Sequence, residues 1–214
     1  MSSAKEDILA RIRTSLADAP VAPEPQRNYR RVSHLNQEQT IEMLVDRLID
    51  YKANVFEATE ANIADVIAER LGETSHYVVP VGLNRQWLPE DTPTRTCFTD
   101  SGSTLEPGAL TVHQLDAVDA VVTSSTVSCA ETGTIFLNSN QDEGRRAISL
   151  VPAHHICVVP RSTVVELVPE AIDRITYERP VTMISGPSAT SDIELIRVEG
   201  VHGPRTLDVI ILDQ

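Results

Sequence analysis

Apolar residues recur along this chain with two different periods. Ile8, Leu9, Ile12 and Leu16 fall at helical spacing, as do Ile41, Leu44, Val45, Leu48 and Ile49, and again Ile63, Val66, Ile67 and Leu71. Each set lies on one face of a 3.6-residue turn, which predicts three amphipathic helices: over 5–17, from Gln37, and from an N-cap at Thr59 to a stop at Gly72. Elsewhere the apolar residues form short, nearly continuous β-branched runs at 54–58, 76–81, 134–137, 156–159, 181–184 and 207–212. Runs such as VTMI and DVIIL, with no polar alternation, suit strands covered on both faces, as in a parallel sheet. A further helix is predicted from Ser162 through Val165, Leu167 and Ile172. Residues 83–115, rich in Pro, Thr, Asp and Gly, carry a weaker pattern, in which Trp87 anchors a short helix and Ala109 to Val112 read as a strand. Residues 117–122 suit either a helix or a strand. Helix and strand alternating from Asn54 onward predict an α/β fold with a mostly parallel central sheet flanked by helices.

The first helix stands apart. Pro20, Pro23 and Pro25, followed by Arg27, Arg30 and Arg31, read as an extended linker. The chain therefore divides into a helix and proline-rich linker over 1–36 and an α/β domain over 37–214. The helix is expected to act as an arm that docks on its own body or on a partner.

Composition then narrows the chemistry. With 214 residues, 41% of them hydrophobic, the chain can bury one sizeable core. Its formal charge of −13 repels phosphate backbones, so nucleic acid is not an expected partner. No apolar run approaches the roughly 20 residues of a membrane span, and the opening residues alternate charge and hydrophobe, so the expected location is the cytoplasm. Cys97, Cys129 and Cys157 are widely spaced with no C-x-x-C, and read as reduced, buried thiols. Only Lys5 and Lys52 are lysines, which excludes a P-loop, a pyridoxal Schiff base or a catalytic lysine in the core domain. There is no H-E-x-x-H, and the adjacent His154 and His155 should point to opposite faces of a strand, so no metal site is predicted.

Two tracts concentrate reactive groups. In SSTVSCAETGTIFLN, Glu131 precedes Thr132-Gly133-Thr134, where glycine permits a turn or a close approach and the hydroxyls can bind an anion or cap a helix. Glu131 there is either a base or nucleophile, or a turn carboxylate held by backbone amides. In the C-terminal tract, Gly186-Pro187 and Gly203-Pro204 edge two apolar runs, with Ser188 and Ser191 as caps for the segment DIELIRV beginning at Asp192. His202 and Arg205 flank the second Gly-Pro. Together they suit a 2-hydroxy acid, the guanidinium holding its carboxylate and the imidazole taking a hydroxyl proton. They equally suit a purely structural turn in which Arg205 ties down Glu199 or Asp208. Arg145-Arg146, after Gln141-Asp142-Glu143-Gly144, either serve a ligand anion or a partner or lie on a solvated loop.

AETGTIFL at 130–137, PAHHICVVP at 152–160, and GPSATSDIE with GVHGPRTLDVIIL resemble, in order and spacing, the motifs of the LUD-domain family. The resemblance covers Gln37 to the C-terminus, and the helix and proline linker are similar to the family's N-terminal arm. It implies a fold related to the CoA-transferase and formyltetrahydrofolate cyclo-ligase group. It also implies a role in oxidising L-lactate to pyruvate with two other lactate-utilization proteins, at least one carrying iron-sulfur clusters. The sequence has no cluster-binding cysteine array and no G-x-G-x-x-G turn of its own, so no redox cofactor is expected in this chain. Two readings follow. In one, the chain is a non-redox subunit whose site is drawn from Glu131, Thr132, Gly133, Thr134, Ser188, Asp192, His202 and Arg205, with Glu131 and His202 the candidate catalytic groups. In the other it is an independent CoA-transferase-like or cyclo-ligase-like enzyme in which Glu131 attacks a thioester.

Overall fold

The computed structural model describes residues 3–17, 23–73, 75–102, 108–190, 198–199 and 202–213. The chain forms two compact units, 1–30 and 31–214. In the first, helix α1 (Ala4–Ser15) begins at a capping box between Ser3 and Glu6 and buries none of its side chains, leaving Ile8, Ile12 and Leu16 exposed. In the second, Ser33, His34 and Leu35 converge on the buried carboxylate of Glu166, which accepts the Ser33 hydroxyl at 2.7 Å and two backbone N–H groups at 2.8 and 3.1 Å.

Helix α2 (Gln37–Asp50) starts where its Asn36–Gln39 capping box satisfies the first orphan N–H groups. It is followed by β1 (Asn54–Thr59), α3 (Ile63–Leu71), β2 (Ser75–Pro80), β3 (Arg95–Asp100), α4 (Val112–Asp116) and β4 (Ala120–Thr123). Next come β5 (Val127–Cys129), β6 (Thr134–Leu137), β7 (His154–Pro160), β8 (Val164–Val165), α5 (Val168–Ile172) and β9 (Thr182–Ile184). The chain closes with β10 (Ala189–Thr190), β11 (Val198–Glu199) and β12 (Thr206–Asp213). Six strands form a wholly parallel sheet in the order β1-β12-β7-β4-β2-β3. This is the expected α/β architecture, and both faces are covered. Ile156, Val158, Ile210 and Leu212 face α3 and Trp87, while the intervening Cys157, Val159, Val209 and Ile211 face α2. A second sheet, β8-β5-β6-β9, lies over the α2 face and carries the Thr-Gly-Thr turn, and β10 and β11 form a separate ribbon.

Several local expectations are corrected. Helix α3 is preceded by Asn62 as N-cap, because the Asn62 carboxamide accepts both the N–H and the hydroxyl of Thr59 and folds that residue into the turn. Thr111, predicted in a strand, caps α4 through a box with Gln114. Residues 117–122 resolve in favour of strand, in β4. The Ser162 helix is replaced by a 3-10 turn at Arg161–Thr163 and by β8, because Val164 and Val165 pair with β5, so helix begins only at Val168 with Pro169 in its first turn. Strands β3 and β5 were not predicted. Trp87 ends a 3-10 turn, its indole N–H donating to Glu60 at 3.1 Å. The capped segment expected from Asp192 lies largely outside the described residues, and Val198–Glu199 at its end are strand.

Candidate functional site

The two Gly-Pro turns come together. Ser188 donates its N–H to the Pro204 carbonyl at 2.8 Å, and its hydroxyl accepts the His202 N–H at 3.0 Å. Gly186 has a φ of 87°, and a Cβ there would lie 2.7 Å from both Cβ and the carbonyl oxygen of Tyr51, at the end of α2. Only glycine lets this loop seat against the helix. Between the turns and the 146–150 segment lies a cavity of about 320 Å³, walled by Ser185, Gly186, Ser188, His202, Arg146 and Ser149 among others, with His155 and Leu207 rising from the sheet.

His155 defines the chemistry of that cavity. It is 1% exposed, and burial, with the neighbouring His154 adding to it, pushes its pKa down to about 3, so the ring is neutral at physiological pH. Its Nε2 lies 2.8 Å from the Thr123 hydroxyl, which has the Cys157 sulfur at 3.9 Å, and that thiol in turn faces the Ser124 carbonyl at 3.9 Å. Burial, its largest cause, raises the Cys157 pKa to about 12, so the thiol keeps its proton. Donation along the row from Nε2–H to Thr123, Cys157 and the Ser124 carbonyl satisfies every donor in it. In that arrangement the ring is the Nε2–H tautomer, and its Nδ1, buried and with no partner among the described residues, is an acceptor on a residue that lines the cavity. His154 points to the opposite face, where Nε2 lies 3.0 Å from Asp208, which also accepts from Asn54 at 2.7 Å. Asp208 is therefore held by these two groups.

The residues singled out in the sequence separate into two places. Ser188 and His202 line the cavity; Arg205 is exposed and does not line it, its backbone N–H donating to the Ala153 carbonyl at 2.8 Å. Asp192 lies outside the described residues. Glu131, Thr132 and Gly133 form the β5–β6 turn, Thr134 opens β6, and none of them lines the cavity. Gly133, φ 58°, is there for packing: a Cβ would meet Cβ of Arg47 at 2.8 Å. Glu131 is exposed and donates its N–H to the Glu166 carbonyl at 3.0 Å. One link joins the places: the Thr134 hydroxyl lies 2.8 Å from that of Thr132 and 2.9 Å from that of Ser185 in the cavity wall. Arg146, Ser149 and His155 were not selected from the sequence as one site. The doubled histidine showed only that one ring would face each side, and nothing local indicates which basic residue of a loop returns to a strand.

The LUD domain model matches residues 26–212, nearly the whole α/β unit. The chain belongs to the LUD domain family. The chain is 39% identical, over 99% of its length and 96% of the relative's, to lactate utilization protein C of Deinococcus radiodurans. It is 26% identical to lactate utilization protein C of Bacillus subtilis, over 86% of this chain and 81% of that one. Its fold is also that of a crystallised DUF162 family protein from Deinococcus radiodurans, with a TM-score of 0.70 and 35% identity over 83% of this chain and 99% of that chain. No helix among the described residues is long and apolar enough to cross a membrane.

Proposed function

We propose that this LUD domain works in lactate utilization as the non-redox subunit of an L-lactate-oxidising assembly, and that the cavity under the Gly-Pro turns holds the hydroxy acid. The names of its relatives support the pathway. The observation that carries the ligand class is the unpartnered, buried Nδ1 of His155, an acceptor that a hydroxyl group completes. Arg146 in the same wall offers a guanidinium to the carboxylate. With its pKa depressed to about 3, His155 orients the hydroxyl without removing its proton at neutral pH, which leaves His202, beside Ser188, as the candidate base.

Conversion of lactate to pyruvate releases two electrons and two protons. Cys129 and Cys157 are buried in the core and Cys97 lies apart on β3, so these thiols do not form a cluster-binding set. In this reading the electrons pass to one of two partner proteins, one that carries iron-sulfur clusters, in the cytoplasm. The thioester reading draws no support from the geometry, since Glu131 is not in the cavity wall.

The test combines growth with binding. A strain lacking this chain should not grow on L-lactate, and restoring it with His202→Ala or Arg146→Gln should give markedly slower growth. Calorimetry on the purified protein should show L-lactate affinity reduced about tenfold or more in Arg146→Gln, the loss expected of a charge-assisted hydrogen bond. Normal growth of the deletion strain, or reduction of an artificial acceptor by the purified chain with lactate, would overturn the proposal.

A further inference from the structure

A second, larger cavity of about 610 Å³ opens at the carboxyl ends of β2 and β3. The rest of the described lining is Pro180 and the loop 139–146, and that loop is rigidly built. The Glu143 carboxylate, 1% exposed, accepts the N–H groups of Asn138 and Asn140 at 2.6 and 3.0 Å and the Thr126 hydroxyl at 2.5 Å. Ser139 is held at φ 52°, and a Cβ on Gly82 would lie 2.5 Å from Cβ of Gln141.

The charge in this cavity favours an anion. Asp100 is fully buried, yet its carboxyl stays below the usual range: burial alone would raise it, but hydrogen bonds from Arg145, Leu110 and Gly102 outweigh that. Arg145 binds it through Nε at 3.0 Å and Nη2 at 2.8 Å, which neutralises the pair. Arg146 then adds a further cation to the described lining, in a chain whose formal charge is −13. The same Arg146 also lines the smaller cavity.

We propose that the larger cavity is a second ligand site, for an organic anion bigger than lactate that presents a phosphate or carboxylate to Arg146. Its volume is in the range of sites for drug-sized ligands, about 300–1,000 Å³. Because the exposed Arg146 lines both cavities, an anion that engages its guanidinium in the larger one weakens lactate binding in the smaller, and the reverse. This coupling, unlike the site itself, rests on the lactate reading above.

Calorimetric titration of the full chain with pyrophosphate and with citrate separates the phosphate and carboxylate cases. At least one of them should bind. Val81→Trp, at a half-exposed rim position, should fill the opening, and the near-isosteric Gln141→Glu should repel an anion. Each is expected to weaken the bound probe about tenfold while leaving L-lactate binding unchanged. Absence of binding by both probes, or equal binding to the wild type and both variants, overturns the site. If a probe binds as predicted but lactate affinity does not respond to it, only the coupling fails. If the probe binds and lactate does not bind at all, the lactate reading fails and the second site stands.

Discussion

A single buried imidazole carries most of the chemical argument, and its energetics can be measured apart from any activity. His155 is neutral in the folded protein, with a pKa near 3, but takes up a proton near pH 6.5 when unfolded. Between those values the unfolded state binds the extra proton, so the stability contributed by this group is complete above pH 6.5 and is lost as the pH falls toward 3. Urea denaturation at pH 7 and pH 5 should therefore show a stability loss about 2 kcal/mol larger for the wild type than for His155→Gln, which has nothing to titrate. An equal loss in both proteins would mean that the ring is charged in the fold. None of this is visible in the doublet His154-His155. Alternation along a strand sends the two rings to opposite faces, but which one meets a carboxylate and which a cavity depends on the elements above each face.

At the level of elements, the second sheet and the two Gly-Pro turns form the cavity wall, and both approach the end of α2 through glycines. Gly186→Ala should strain a left-handed backbone and press a methyl group into Tyr51. The expected cost is about 2 kcal/mol or more in denaturant melts, accompanied by weaker L-lactate binding because Gly186 lines the cavity. A change below about 0.5 kcal/mol would show that the loop has room to shift. The helices and long apolar strands were legible because a repeat of 3.6 residues or a β-branched run is a local signal. Strand β3, RTCFTD, was not, since polar residues interrupt its apolar ones and its place depends on pairing with β2. Val164-Val165 read as helix because their spacing to Leu167 and Ile172 allows it; pairing with β5 overrode that preference.

For the whole molecule, the division into two units makes a direct prediction. Removing residues 1–15 should leave the thermal midpoint of the unit over 31–214 within about 2 °C of the full chain, since α1 buries no side chain. Calorimetry that showed a fall of more than about 5 °C would contradict this.

The sequence by itself determined the α/β class, the parallel character of the sheet and the family, because periodicity and motif order are properties of neighbours along the chain. It also singled out Ser188 and His202. Only the tertiary structure decided that these two share a wall with Arg146 and His155, while Glu131 lies exposed outside that wall and Gly133 beside it packs on α2. The reason is physical. A site is an arrangement of side chains from separate elements, and its members are brought together by strand order and by the packing of glycines against a helix, which no local pattern encodes.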